Sequence, residues 1–453
     1  MFNILKYSTT SMKNPPLKKQ NLEVDFMKKD ELIENLMFFQ QFIGKEKVKR
    51  QLRDVGEVSS DTFPNFDEVY TTIRSSKPEK QKSDSTLITC EALATGFEEK
   101  ILTESDIDDL LFRLIEDSLF NSYLYNITSH DVMLEDMGAF PEVMKAWSVP
   151  EQKSLIRNVS KAQKGMEYII CTYREYVTDG KLESFRMLLL DKELVMISGK
   201  GKDDIYVAYP TLVEFDFKRN LLHIRLRDVD NIDSDAEEVG TMSGRIERTL
   251  KFISTLSPVI KVDKFGGFRK SLYQIEENIL SEKRTKAEEL LATFDESINI
   301  FVEQVVKRFQ PPLDAKSTPK EFISYAVLSI IATTLKVNEL GDVIGIKFRS
   351  TRESESNKYA EVSISDKDYK CISTDKVYWQ NLIILQEQKA VESLKLIKIL
   401  DSGFVEAKLE FSMETANVRI HQRSEHPDKK MRSQPSDEKY SDFINYLLPF
   451  LIN

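Results

Sequence analysis

Apolar residues recur at helical spacing near the start of the chain. In the segment 28–52, Leu32, Leu36, Phe39 and Ile43 follow one another at steps of three or four residues. This spacing places all four side chains on one face of a helix, with polar residues on the other face. The segment is therefore predicted to be an amphipathic helix that packs on a core.

A second helix is predicted to begin after Thr103. Asp106 stands three residues further on, and the pair has the spacing of a capping box, in which each side chain bonds the backbone of the other residue. The apolar segment 107–125 is predicted to continue this helix. Together these patterns predict a mainly helical region over residues 1–160.

The period of the pattern changes from helical spacing to alternation near Met166. The runs MEYIICTYREY, ESFRMLLLDKELVMIS, DIYVAYPTLVEFDF and LLHIRLRD alternate apolar and polar residues and are separated by turn residues. They predict an antiparallel meander of five or six strands, closed by a helix, over residues 161–262.

Two hairpins can be paired residue by residue. In the first, we pair Phe217 with Leu222, and in the second, Phe411 with Val418, because this places the apolar side chains of each hairpin on one face. The other face then carries acids opposite bases, which is typical of a solvent-exposed surface. In the first hairpin those residues are Glu214, Asp216, His223 and Arg225.

A long helical arm is predicted over residues 263–312. Its apolar residues recur every three or four positions and stop at Pro311, so roughly 40 residues would form a helix about 60 Å long. One small domain cannot cover so long a stripe, and we expect a partner helix from another part of the chain or from a second copy. The predicted interaction residues are Leu272, Ile275, Ile279, Leu291, Phe294, Ile298, Phe301 and Val305.

A last module is predicted over residues 313–453. It opens with Thr318, Pro319 and Glu321, which have the spacing of a capping box with proline in the first turn. A helix, five short strands and a terminal helix follow, and the segment 375–392 fits either a helix or a strand. The whole chain is therefore expected to be an α+β protein with a helical region, a β-meander domain, a helical arm and a C-terminal α+β domain.

Composition narrows the class of protein. Of the 453 residues, 41% are apolar and 30% are charged, which is typical of a soluble globular protein, and the formal charge is -10. Only three cysteines occur, far apart in sequence, as in proteins of a reducing compartment. We find no signal peptide and no apolar segment of the roughly 20 residues that a membrane span needs. A cytoplasmic protein without a membrane partner is expected.

One arrangement of residues points to metal-dependent catalysis. In nucleases with an E-x-K signature, an Asp and a Glu hold a divalent metal ion and a Lys orients the attacking water. Glu406 and Lys408 have this spacing, and Asp401 lies upstream. The hypothesis requires Mg²⁺ or Mn²⁺, and no other cofactor or metal site is predicted. Asp401 also fits a simple Asp-Ser-Gly turn, and Glu406 and Lys408 fit a mixed-charge surface.

Basic residues beside glycines suggest phosphate contacts. Lys200 and Lys202 alternate with glycines in SGKGKDD, and Arg269 and Lys270 follow a glycine pair in KFGGFRKS. Neither segment has the glycine spacing of a nucleotide-binding loop, so a hairpin tip and a hinge are the simpler interpretations.

The leading functional hypothesis is a non-enzymatic interaction or adaptor subunit that assembles through the helical arm with itself or with another protein. Its expected setting is a cytosolic complex in a bacterium, such as a phage-defence or mobile-element system. A nuclease and a nucleic-acid-binding protein are the two alternatives, and whether the chain has any catalytic activity is left open.

Overall fold

The computed structural model describes residues 27–52, 63, 66–132, 140–149, 155–159, 168–191, 194–197, 205–229, 232–233, 237–311, 317–335, 342–351, 359–366, 370–421 and 436–451. Over these residues, helices cover a large antiparallel sheet. The predicted α+β class is confirmed. No helix in the described ranges is both long and apolar enough to cross a membrane.

The chain begins with a group of helices that share one apolar core. They are α1 (Lys29–Met37), α2 (Lys45–Gln51), α3 (Phe66–Ser76), α4 (Ser85–Glu98) and α5 (Glu104–Glu116). The single helix predicted over 28–52 is thus two helices. Gly44 separates them because its backbone is extended and it forms the N-cap of α2. The capping box of Thr103 and Asp106 at the start of α5 is confirmed.

The strands and the short helices between them follow. The strands are β1 (Asn121–His130), β2 (Tyr168–Thr178), β3 (Lys181–Asp191), β4 (Val195–Ile197), β5 (Ile205–Val207), β6 (Thr211–Asp216), β7 (Leu221–Leu226), β8 (Ile260–Lys264), β9 (Asp342–Thr351), β10 (Tyr359–Ser365), β11 (Ser393–Leu400), β12 (Gly403–Ser412) and β13 (Thr415–Ile420). The helices among the first eight strands are α6 (Phe140–Ala146), α7 (Leu155–Asn158), α8 (Glu237–Gly240) and α9 (Met242–Ser254).

Strand β1 joins the two β-rich parts of the chain into one sheet. The sheet has 11 strands in the order β10-β9-β11-β12-β13-β1-β7-β6-β3-β2, with β8 also paired to β1. It contains strands from three of the four predicted regions. The prediction that a helix runs through 107–125 is wrong, because α5 ends at Glu116 and the aromatic and β-branched residues after it form β1.

Both predicted hairpin registers are wrong by two residues. Because side chains alternate between the two faces with a period of two, each side chain still lies on its predicted face of the sheet. Phe215 lies opposite Leu222, and Phe411 lies opposite Ala416. In the second hairpin the turn is only two residues long, since Met413 and Glu414 both have positive φ. Two-residue turns with positive φ usually carry Asn or Gly. Neither residue type occurs at these two positions, so the sequence gives little indication of the turn.

The remaining helices belong to the C-terminal part of the chain. They are α10 (Phe268–Ala292), α11 (Asp295–Phe309), α12 (Pro319–Thr334), α13 (Lys376–Gln380), α14 (Leu382–Gln388) and α15 (Asp437–Leu447). The capping box at Thr318 is confirmed, and the undecided segment 375–392 is mainly helical.

Candidate interaction surface

The predicted arm is two helices rather than one. Helix α10 ends at Ala292, and α11 begins at Asp295 after a turn at Thr293 and Phe294. The amides of these two residues bond carbonyls three residues back, at Leu290 and Leu291, in place of the four-residue pattern of an α-helix. The stripe of apolar residues is therefore divided between two helices with different surroundings.

The first half of the stripe is covered by the same chain. Leu272, Ile275 and Ile279 are at most 1% exposed and belong to a core that includes residues of the sheet and of α12. Leu291 is partly buried against that core. At the polar break in the stripe, Lys283 donates from Nζ to the Ser373 carbonyl at 2.7 Å. For this half of the stripe, the covering surface comes from the same chain, which is one of the two alternatives that the sequence left open.

The second half of the stripe is left largely open. Ile298 is 5% exposed, and beyond it no residue of α11 is buried. Phe301 is 53% exposed and Phe309 is 70% exposed. A soluble protein commonly exposes single apolar side chains, but a group of large ones on one helix is typical of an interface.

Four apolar residues of α11 and of the turn before it form a row, while Ile300 and Val306, which are also exposed, lie off this row. Phe301, Val305 and Phe309 are spaced by four residues, and Phe294 precedes Phe301 by seven, so all four lie along one side of the helix. Val305 is half-buried, and Phe294 is 49% exposed. We call Phe294, Phe301, Val305 and Phe309 the α11 face.

The neighbouring helix α12 adds apolar surface. Phe322 and Ile330 are 55% and 68% exposed, and their spacing of eight residues puts them on one side of α12. The two helices are in contact, and Lys320 Nζ lies 2.8 Å from Asp295 Oδ1. The hydrogen bond from Lys320 lowers the pKa of Asp295. Three residues of the α11 face are among the predicted interaction residues, whereas Phe309, Phe322 and Ile330 are not. Phe309 had a signal, because it continues the spacing of Phe301 and Val305.

Charge is distributed unevenly along α11. Asp295 and Glu296 lie in its first turn, and Lys307 and Arg308 lie in its last turn. This arrangement suits the helix dipole, which is positive at the N-terminus and negative at the C-terminus. It also makes the two ends of the helix complementary in charge.

The nuclease residues lie on β12 and in the turn before it. Asp401 is exposed in that turn, whereas Glu406 is 3% exposed on the strand, three residues beyond Gly403. Three residues of strand correspond to about 10 Å. Among the described residues no group of three or more potential metal ligands occurs.

Glu406 and Lys408 have partners on the sheet. Glu406 Oε1 lies 3.4 Å from Lys395 Nζ and 3.9 Å from His421 Nε2. Burial lowers the pKa of His421, although Glu406 opposes this shift. Lys408 donates to Glu410 Oε2 at 2.7 Å. These contacts are those of ion pairs on a sheet surface, and nuclease activity stays an untested hypothesis.

The basic residues beside glycines fall in two places. Lys200 and Lys202 lie outside the described residues. Arg269 forms an ion pair with Glu392 Oε1 at 2.8 Å and stacks over Phe411, while Lys270 is exposed on the first turn of α10. The glycine pair forms the bend between β8 and α10, as the simpler interpretation predicted.

Neither a protein-family model nor a curated protein sequence matches this chain. The function must therefore be argued from the geometry of its own residues.

Proposed function

We propose that this chain is an interaction subunit that associates with a second copy of itself through the α11 face. The observation that carries the proposal is the change in burial along the arm. Up to Ile279 the apolar stripe is buried by its own chain, whereas from Phe294 to Phe309 it is largely open except at Ile298. Covering it with apolar surface would stabilise the assembly by about 25 cal/mol for each Å² removed from water.

The charges of α11 favour an antiparallel pair. A two-fold axis near Val302 would place the first turn of one helix beside the last turn of the other. Glu296 of each copy would then lie near Arg308 of the second copy, and Phe301 would lie near the axis. A parallel pair would place like charges side by side at both ends of the helix and is disfavoured for that reason.

We also propose a cellular setting for this assembly. We place the subunit in a bacterial cytosol, within a phage-defence or mobile-element complex, on the grounds of its cysteine usage and composition. The self-association does not depend on that setting.

Sedimentation velocity tests the proposal. The unaltered protein is expected to sediment as a dimer at micromolar concentration, and a variant with both Phe301→Asp and Phe309→Asp is expected to sediment as a monomer. Charged groups in the centre of an apolar contact carry a desolvation cost that the contact cannot offset. Circular dichroism should show that the variant is folded, since both side chains are exposed in one copy.

Ile399 provides a matched control. It is 65% exposed on β11, so Ile399→Asp adds the same kind of charge at an equally open apolar site away from α11. This variant should remain a dimer. If the unaltered protein is a monomer at micromolar concentration, or if Ile399→Asp dissociates the dimer as fully as the α11 variant does, the proposal is wrong.

A further inference from the structure

Strand β10 is an open edge of the large sheet. Among the described residues it pairs only with β9, and it stands at one end of the strand order. Five of its seven residues are exposed, and Val362 is half-buried against the core that includes α10 and α12. The strand contains neither proline nor lysine, and its register with β9 has no bulge. It therefore lacks the features that usually keep an edge strand from pairing with another strand.

The hydrogen bonds of β9 show which backbone groups of β10 point outward. The Asp366 amide donates to the Ile344 carbonyl at 3.0 Å, so these two residues form a hydrogen-bonded pair. The Lys347 carbonyl instead accepts from the Glu392 amide at 2.8 Å, on the side of β11. Because the two kinds of pair alternate along an antiparallel ladder, Ser363, which lies opposite Lys347, directs its amide and carbonyl away from β9. The other residues of β10 with outward backbone groups are Tyr359, Glu361 and Ser365.

We propose that β10 pairs with β10 of a second copy, in an antiparallel arrangement about a two-fold axis at Val362. In this register all seven residues of the strand have a partner, and the outward amides and carbonyls form the hydrogen-bonded pairs. Glu361 would lie opposite Ser363 of the second copy, and Val362 would lie opposite its own counterpart. The sheets of the two copies would then form one continuous sheet.

Charge and side-chain size select this register. An axis at Glu361 would place this residue opposite its own counterpart, and like charges directly opposite each other destabilise a strand pair. An axis at Ser363 would leave the first two residues of β10 without a partner strand. The axis at Val362 avoids both, and it places Ile364 of the second copy beside the exposed Ala360, a large apolar side chain opposite a small one. This self-complementarity favours a second copy over a strand of another protein.

The β10 contact is separate from the α11 face, because the two share no residue. A chain with two separate two-fold contacts assembles into a closed tetramer or into an open row of copies. A single strand edge buries less surface than the ~1,200 Å² at the lower end of stable interfaces. We therefore expect the β10 pair to be weaker than the α11 pair and to require a higher protein concentration.

Cysteine cross-linking of the full chain tests the register. The chain carries Phe301→Asp and Phe309→Asp, so that the result does not depend on the α11 face. The Cα atoms of a non-hydrogen-bonded pair lie about 4.5 Å apart, which a disulfide can span, and Val362→Cys should form a covalent dimer in a mild oxidant. Ser365→Cys is the matched control on the same edge, because its two copies would be about 20 Å apart and should not cross-link. The same chain without an added cysteine accounts for the three native cysteines.

A charge at position 363 sharpens the test. Ser363→Glu places a carboxylate opposite Glu361 of the second copy, twice in each pair, and should slow the cross-linking of Val362→Cys about fivefold. Ser363→Lys places an ammonium group there and should speed the reaction by about the same factor. Ser363 is exposed, and circular dichroism should show that both variants are folded.

The proposal is overturned if Val362→Cys cross-links no faster than Ser365→Cys, or if Ser363→Glu and Ser363→Lys change the rate in the same direction. Its outcome is distinguishable from that of the α11 proposal. A protein that is monomeric at micromolar concentration but cross-links through Val362→Cys would remove only the α11 contact. A micromolar dimer whose Val362→Cys variant does not cross-link would remove only the β10 contact.

Discussion

The hairpins β6–β7 and β12–β13 have the same alternation of apolar and charged residues but opposite surroundings. In β6–β7 the charged residues Glu214, Asp216, His223 and Arg225 are at most 3% exposed. In β12–β13 the side chains of Lys408, Glu410 and Arg419 are more than one-third exposed. An alternating pattern therefore identifies which side chains share a face, but it does not tell whether that face meets water.

The difference lies in what covers the first hairpin. Residues of α5 and α15, which are remote from it in sequence, lie over its charged face. Asp437 at the start of α15 accepts from Arg186 Nη1 at 2.7 Å and from Arg225 Nη1 at 2.8 Å. The Tyr440 hydroxyl bonds His223 Nδ1 at 2.8 Å. The prediction that this face is exposed to solvent is wrong, because a distant helix brings its own charge and hydroxyl group to it.

Removing the arginine at the centre of the buried face should have the largest effect. Arg225 is fully buried and also donates to the carbonyls of Leu119 at 3.0 Å and Glu116 at 2.9 Å. Arg225→Leu should lower the free energy of unfolding by about 3–5 kcal/mol, since it removes the donor to Asp437 Oδ1 and to two carbonyls in a buried cluster. Urea unfolding followed by circular dichroism measures this value.

Arg419 is the control for that experiment. It pairs with Asp228 at 2.7 Å on the open hairpin and is 37% exposed. Arg419→Leu should cost below about 1 kcal/mol. Equal losses in the free energy of unfolding for the two variants would mean that the difference in burial between the two hairpins does not affect stability.

Much of the local structure follows from the sequence. The capping boxes at Thr103 and Thr318 need only neighbouring residues, and the buried face of α1 needs only helical spacing. Strand β1 could not be separated from α5 in this way, because the apolar run through both segments fits either structure. The pairing of β1 with β7, β8 and β13 depends on contacts between residues far apart in the chain.

The candidate sites depend even more on distant contacts. The spacing of Ile275 and Ile279 is the same as that of Phe301 and Val305, whether a helix of the same chain or of another copy covers the stripe. Only the positions of α12 and the sheet distinguish the two halves of the arm. The burial of Arg284, which bonds Glu276 and the Tyr378 hydroxyl from Nη2, leaves no trace in the sequence, where an arginine in a charged segment looks like a solvated surface residue.

Asp108 is a buried carboxylate whose hydrogen bonds come mainly from the backbone, and it tests how burial changes the pKa of such a group. It is 2% exposed and accepts from the Ile156 amide at 3.0 Å. Burial raises the pKa of Asp108 to about 7, although that amide favours the charged form. The pKa is higher in the folded state than the roughly 3.9 of an unfolded chain. The contribution of Asp108 to stability is therefore greatest below about pH 4 and falls as the pH rises to about 7.

Asp108→Asn should remove that fall. At pH 8 the variant is expected to be more stable than the unaltered protein by roughly 4 kcal/mol at most, whereas at pH 4 the gain should disappear. Thermal unfolding at the two pH values measures the difference. A variant that is less stable at pH 8 would show that Asp108 is ionised and well paired.

Asp216 is a buried carboxylate on the covered hairpin, and its pKa shifts in the opposite direction. Burial favours a higher pKa, but His223 and Arg219 outweigh it and hold the pKa of Asp216 at about 2. Because this value lies below that of the unfolded chain, the stabilisation is present above about pH 4 and is lost as the pH falls toward 2. Asp216→Asn should therefore lower stability at pH 7 by ~2 kcal/mol and flatten the acid limb of the pH profile. An acid limb as steep as that of the unaltered protein would assign the loss of stability to other carboxylates.

The smallest effect is expected on the open hairpin, where Lys408 and Glu410 pair at 2.7 Å and are each 36% exposed. A double-mutant cycle with Lys408→Ala and Glu410→Ala should give a coupling energy below about 1 kcal/mol, because water competes for both groups. Molar salt should reduce it further, since screening acts over about 3 Å at that ionic strength. The coupling between Arg225 and Asp437, measured in the same way, should be larger and should change less with salt. If the Lys408–Glu410 pair proves as strong and as insensitive to salt, its face of the sheet is shielded from water in the working protein, and a partner on β12–β13 would have to be sought.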